Sequence, residues 1–119
     1  MSNLKPRFGF IIEYPEDMAA SRAFYEGVMG LRVEREHPTY VQFEHFAIAG
    51  DESLSGTREP EVYWLVDDAD AAYAELSRSA TVSVPLRELP FGKVFGIKDP
   101  DGEQCFLLQL AANRPSAAV

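Results

Sequence analysis

Apolar and polar positions alternate in short runs along the first half of the chain. Residues 10–17 (FIIEYPED) predict a strand that leads into a helix, with Asp17 as a suitable N-cap. The helix is predicted over 18–28, and Gly30 is a typical helix-ending glycine. Side chains spaced by three to four residues should form its inner face: Met18, Ser21, Phe24, Tyr25 and Val28.

Three further strands follow in the first half. Residues 31–35 alternate as a strand, and 40–43 and 46–49 form two more around a turn at Glu44 and His45. The order is therefore strand, helix, three strands.

The second half repeats this order. Residues 61–68 (EVYWLVDD) again predict a strand followed by an acidic helix start, and Asp68 stands 51 residues after Asp17. At that offset two alanines of one helix meet alanines of the other. The remaining elements are predicted as a helix at 68–78 and strands near 82–84, 93–98 and 103–110.

Turn-rich segments separate these elements. Residues 99–102 (Asp-Pro-Asp-Gly) predict a tight hairpin turn, because Pro presets one dihedral angle and Gly102 accepts positive φ. Residues 51–60 are polar and predict a linker, whereas 112–119 predict a frayed tail. The chain is thus expected to be one domain over 1–119, with modules at about 8–50 and 60–111.

Composition narrows the possible partners. The formal net charge of −8 argues against nucleic acid, and no apolar run approaches the roughly 18 residues of a membrane span. The N-terminus lacks the pattern of a signal peptide, and the single Cys105 cannot form an internal disulfide. We therefore expect a cytoplasmic protein with no nucleic-acid or membrane partner.

Several segments resemble the vicinal-oxygen-chelate superfamily, which includes glyoxalase I, extradiol dioxygenases and bleomycin-resistance proteins. The resemblance rests on residues 24–31 (FYEGVMGL), on the Asp-Pro-Asp-Gly turn, on 66–76 (VDDADAAYAEL) and on 89–95 (LPFGKVF). It is strongest to the bleomycin-resistance type. It implies an α+β fold of two tandem βαβββ modules whose curved mixed sheet surrounds a cup, a homodimer, and Phe91 at the pocket mouth.

Metal-dependent members of this superfamily hold their ion at four positions in the cup. Carried over to this sequence, these positions are Phe10, Glu61, Phe106 and a residue near Ala47. Phe and Ala offer no donor atoms, and one carboxylate does not make a selective metal site. The expectation is a chain without a metal or another cofactor, and without catalytic residues. His37 and His45, with nearby glutamates, are the alternative ligands.

Alternation along the strands predicts which side chains line the cup. Its walls are expected to be apolar and aromatic, with Glu61 and Gln104 as polar points. The predicted ligand-binding residues are Phe10, Ile12, Tyr14, Glu61, Tyr63, Leu65, Phe91, Gln104, Phe106 and Leu108. The alternative is that these side chains fill a closed core. Trp64 is expected in the core on the opposite, helix-facing side.

Glu61 is the one ionisable residue at the four positions. A buried carboxylate needs a hydrogen-bond partner, an ordered water or a cationic ligand group. The alternative is that Glu61 reaches solvent at the strand start after Pro60.

The resulting hypothesis is a metal-free protein that binds a small molecule, with sequestration of an aromatic or cationic antibiotic-like ligand as one version. The alternatives are a metal-dependent lyase, isomerase or dioxygenase with a non-standard site, and a protein without a small-molecule role.

Overall fold

The computed structural model describes residues 5–51 and 53–111, which contain eight strands and two helical segments. The strands are β1 (Arg7–Glu13), β2 (Arg35–His37), β3 (Tyr40–Gln42), β4 (Phe46–Ala49), β5 (Glu61–Leu65), β6 (Val82–Leu89), β7 (Gly92–Lys98) and β8 (Gln104–Leu110). Helix α1 (Met18–Arg22) continues as a π-helical turn over Ala23–Val28, and α2 covers Ala69–Leu76. The predicted α+β fold with two βαβββ units is confirmed.

All eight strands form one mixed sheet in the order β2-β3-β4-β1-β5-β8-β7-β6. The order is symmetric about the antiparallel pair β1–β5, and each unit contains one parallel pair, β1–β4 or β5–β8. The two edge strands, β2 and β6, are therefore equivalent by position. Phe10 faces Tyr63 across the central pair, so the two units meet through their first strands.

The two helix starts are equivalent in detail. Asp17 and Asp68 both have extended backbone angles, and each side chain accepts a hydrogen bond from the amide three residues later, Ala20 N at 3.0 Å and Ala71 N at 3.1 Å. These caps satisfy one of the free amides of the first turn. The 51-residue repeat is thus visible in the local structure.

The predicted inner face of the first helix is partly wrong. Met18 and Tyr25 pack against the sheet, but Phe24 is 48% exposed and Val28 is 76% exposed. The reason is the π-helical turn, in which Met29 N donates to Phe24 O at 2.9 Å. A turn closed by i→i+5 bonds holds more residues than an α-turn, so a spacing of three to four no longer keeps side chains on one face.

Two strand boundaries also differ from the prediction. Residues 31–34 are not a strand, although Leu31 and Val33 pack against the cluster around Phe43, and β2 begins only at Arg35. Strand β6 extends well beyond the predicted 82–84, to Leu89. The turn at 99–102 is confirmed: Gly102 has a φ of +85° and donates to Asp99 O at 2.9 Å. The tail over 112–119 lies outside the described residues.

The sheet has a core on each face. On the helix side, α2 covers Val66, Phe95 and Leu107, and α1 covers the cluster of Val41, Phe43 and Ile48. Trp64 is only partly buried on that side. On the concave side a third cluster forms the floor of the cup. Within the described residues, no helix is long and apolar enough to cross a membrane.

Candidate functional site

The floor of the cup is a stack of three aromatic rings. The rings of Phe10 and Tyr63 lie 5.1 Å apart with an interplanar angle of 13°, and those of Tyr63 and Phe106 lie 5.1 Å apart at 21°. All three side chains are buried. Strand pairing brings them together, because Phe10 and Phe106 are the register partners of Tyr63 on the two neighbouring strands.

Register also identifies the fourth position of the superfamily's metal site. Ile12 and Tyr63 are separated by the repeat offset of 51 residues; Ile12 pairs with Ala47, and Tyr63 pairs with Phe106. Ala47 is therefore the equivalent of Phe106, as predicted. Ala47 and Phe106 are both fully buried in the cluster that contains Phe10.

Glu61 is the one buried charged residue among those described, with an exposed fraction of 2%. Its carboxylate accepts three hydrogen bonds: from Tyr14 Oη at 2.6 Å, from Tyr63 Oη at 2.9 Å and from Ser55 N at 2.8 Å. The expectation that Glu61 is buried with hydrogen-bond partners is confirmed, and the solvent-exposed alternative is wrong. Through Ser55, the carboxylate also fastens the linker to the sheet.

The two phenols beside Glu61 are held in their neutral form. Burial raises the pKa of Tyr14 and of Tyr63 far above the ordinary value of a phenol, and the neighbouring carboxylate raises both further. A neutral phenol can donate to a carboxylate, whereas a phenolate beside Glu61 would face a like charge. The arrangement, called the clasp below, is therefore the Glu61 carboxylate with its three neutral donors: the phenols of Tyr14 and Tyr63 and the backbone amide of Ser55.

Above this floor lies a cavity of about 420 Å³. Its wall comes from six strands and three connections: Phe10, Ile12, Tyr14, His37, Tyr40, Ala49, Asp51, Leu54, Tyr63, Arg87, Leu89, Pro90 and Phe91. The edge strands β2 and β6 both contribute, through His37 and Arg87, so the curved sheet brings its two ends to the same opening. The cup is thus open above a filled floor.

Five of the ten predicted ligand-binding residues line this cavity: Phe10, Ile12, Tyr14, Tyr63 and Phe91. Four others lie elsewhere in or against the concave core, since Phe106 and Leu108 are fully buried, Glu61 is bound by the clasp and Leu65 packs against the cluster. Gln104 starts β8 opposite Lys98, outside the cavity wall. The role of these residues in ligand binding stays a prediction.

Sequence reasoning missed the upper wall, which includes His37, Tyr40, Leu54, Arg87 and Leu89. Strand alternation was applied only to β1, β5 and β8, whereas these residues come from β2, β3, β6 and the linker. Tyr40 could have been found from β4, because it pairs with Ala49, which is on the same face as Ala47. Leu54 could not, since its place depends on how the linker folds back.

These residues do not fit a metal ion at the superfamily's position. Phe10, Ala47 and Phe106 have no donor atoms, and the Glu61 oxygens already accept three hydrogen bonds. In the described part of the chain, no three His, Cys, Asp or Glu side chains stand together as a metal-binding group. His37 instead stacks on Tyr40, and His45 Nδ1 lies 3.1 Å from Gly9 O.

Solved structures share this fold at low sequence identity. A Legionella pneumophila protein described as an NAD-dependent benzaldehyde dehydrogenase is 17% identical, with a TM-score of 0.72 over 86% of this chain and 98% of that one. A glyoxalase/bleomycin resistance protein/dioxygenase superfamily member from Vibrio splendidus is 22% identical, with a TM-score of 0.70 over 88% and 99%. Identities this low establish the fold alone.

Larger enzymes contain the same architecture. Homoprotocatechuate 2,3-dioxygenase from Brevibacterium fuscum is 17% identical, with a TM-score of 0.63 over 96% of this chain but only 40% of the dioxygenase. A search of curated proteins found no match. The sequence model of the Glyoxalase/Bleomycin resistance protein/Dioxygenase superfamily, however, matches residues 7–105, which is most of the chain. By this match and by its fold, the chain belongs to the glyoxalase/bleomycin resistance protein/dioxygenase superfamily.

Proposed function

We propose that this protein binds a flat aromatic small molecule in its cup without a metal ion, as a member of the bleomycin-resistance type. The observation that carries the proposal is the cavity of about 420 Å³ above the aromatic floor. Cavities of roughly 300–1,000 Å³ with apolar walls and a few polar groups are typical of small-molecule sites. Sequestration of an antibiotic-like compound is one version of this function.

Contact between aromatic rings is the interaction that the site favours. Phe10 and Tyr63 form the floor, and half-buried Phe91 also lines the cavity. Aromatic rings prefer offset stacking or edge-to-face contacts with other rings. The floor is itself held in place by the ring stack and the clasp, so little ordering is needed when a ligand enters.

Binding rather than transformation is favoured by the state of the polar groups. The raised pKa values of the Tyr14 and Tyr63 phenols keep both groups protonated near neutral pH, so neither can act as a general base there, and both are weak acids. The Glu61 carboxylate already accepts three hydrogen bonds and does not line the cavity.

The test is a thermal-shift screen of aromatic natural products and antibiotics, followed by calorimetry on each hit. A ligand at 100 times its Kd stabilises the protein by about 2.7 kcal/mol. Phe91→Ala should weaken binding by about tenfold, which is about 1.4 kcal/mol, because an aromatic part of the cavity wall is lost. Phe24→Ala is the matched control, since Phe24 is exposed on the first helix.

Two results would contradict the proposal. One is stoichiometric Ni, Zn, Fe or Mn in the purified protein together with ligand binding that a chelator abolishes. The other is conversion of the bound compound, followed by mass spectrometry, which would favour the lyase, isomerase or dioxygenase alternative. The homodimer and the cytoplasmic location stay predictions, and sedimentation equilibrium and fractionation would measure them.

A further inference from the structure

We infer that the preferred ligand is an aromatic anion, with its ring above Phe10 and Tyr63 and its anionic group beside Arg87. This inference rests on the proposed function and adds the charge of the ligand to it. It departs from the cationic ligand that the position of Glu61 suggests in the sequence, because that carboxylate does not reach the cavity.

Arg87 is the first reason. It lies on edge strand β6 and lines the cavity, and within the described residues its guanidinium makes no hydrogen bond or ion pair. The arginine and lysine side chains that do form ion pairs in the described residues, such as Lys93 with Asp70 at 2.8 Å, do not line the cavity. A guanidinium has five donors in a planar fork that matches a carboxylate in a bidentate manner.

The opposite edge of the sheet offers further donors. His37 on β2 also lines the cavity, and its ring stacks on Tyr40 at 5.5 Å and 14°. Stacking orients the imidazole, whose ring nitrogens can donate hydrogen bonds. An anionic group at the opening would thus have donors on both edge strands.

Two carboxylates near the cavity, those of Glu61 and Asp51, would by their charge disfavour an anionic ligand. Glu61 is engaged by Tyr14, Tyr63 and Ser55 and does not line the wall. Asp51 does line it, but its Oδ2 already accepts a hydrogen bond from Thr39 Oγ1 at 2.8 Å. Of the two charged groups that line the cavity, Arg87 is therefore the one that has no partner among residues 5–51 and 53–111.

Because the chain has a negative net charge, an anionic ligand needs a nearby cation such as Arg87 in order to bind. The chain carries a net charge of −8, which repels anions at long range. At physiological salt that repulsion is screened beyond roughly 8 Å, whereas a contact with Arg87 is not. The charge selectivity for an anion would then depend mainly on Arg87.

The experiment compares three probes with the same ring: 2-naphthoate, 2-naphthamide and 2-naphthylmethylamine. Calorimetry at neutral pH and physiological salt, where the long-range repulsion is screened, should give the tightest binding for naphthoate, by about five- to tenfold over the amide, as for one partly exposed charged contact. In Arg87→Gln the naphthoate affinity should fall to that of the amide. Arg78→Gln removes the same charge at an exposed position after α2 and should leave all three affinities unchanged.

The outcomes separate this inference from the proposed function. Equal binding of the three probes, tighter binding of the amine, or a naphthoate preference that survives in Arg87→Gln would overturn the anion assignment while leaving the aromatic site standing. Absence of binding by all three probes would count against the proposed function itself, and the anion assignment would fall with it.

Discussion

The clasp around Glu61 makes a sharp prediction about stability. Glu61→Ala removes the shared acceptor of Tyr14 Oη, Tyr63 Oη and Ser55 N, which donate at 2.6, 2.9 and 2.8 Å. The substitution leaves two phenols and a backbone amide without their common acceptor beneath the cavity. It also releases the linker from its attachment at Ser55.

The magnitude follows from the burial of these groups. A buried donor left unsatisfied costs about 1–3 kcal/mol. Tyr63 is fully buried, whereas the Tyr14 and Ser55 bonds are partly buried, so water can reach those two donors and reduce their cost. We expect Glu61→Ala to lower the free energy of unfolding by about 3–5 kcal/mol, a large part of the ~5–15 kcal/mol of an ordinary domain.

Glu61→Gln should be milder. The amide keeps one acceptor oxygen for Ser55 N, and its NH₂ can donate to the phenol oxygens if their hydroxyls turn. The loss is then mainly the charge of the acceptor, about 1–2 kcal/mol. This variant separates the effect of charge from the effect of missing partners.

Urea unfolding followed by circular dichroism measures both variants. Glu13→Gln is the matched control, because the Glu13 carboxylate accepts a single bond, from Tyr25 Oη at 2.8 Å, nearer the surface. Its effect should stay below about 1 kcal/mol. If Glu61→Ala unfolds within about 1 kcal/mol of the wild type, the reasoning is refuted, since burying the carboxylate would then cost as much as its bonds contribute.

Two further predictions concern alkaline pH and the hairpin turn. Because the pKa values of Tyr14 and Tyr63 are raised in the folded state, their phenols ionise first in the unfolded chain. Stability should therefore fall as pH rises above about 10, by up to ~1.4 kcal/mol per pH unit for each phenol. Urea midpoints should fall more steeply for the wild type than for Tyr63→Phe, and equal slopes would contradict this. Gly102→Ala, at a φ of +85°, should cost about 1 kcal/mol in the same assay, whereas Gly27→Ala, at ordinary φ and with open space around it, should not destabilise; equal effects would show that the turn is not strained.

The sequence by itself determined the order of the elements and the chemistry of the four superfamily positions. The period-2 runs, the capping residues Asp17 and Asp68 and the turn at Gly102 act locally, so each could be recognised without knowing the fold. Side chains alternate between the two faces from Phe10 onward in β1 and along β5, which placed Phe10 and Tyr63 on the concave face. The π-helical turn was missed because its hydrogen-bond pattern leaves no distinct spacing in the sequence.

Tertiary structure alone decided what those residues do together. Glu61 is held in the clasp and does not line the cavity, because Tyr14 and the backbone amide of Ser55 in the linker donate hydrogen bonds to it. Neither donor belongs to β5, the strand that contains Glu61. The opening of the cup is shared by His37 and Arg87 because the sheet curves until its two edge strands approach. Alternation along a strand predicts which face of the sheet a side chain occupies. Whether that face is filled or open depends on the curvature of the sheet and the path of the linker, and both depend on the packing of the whole sheet.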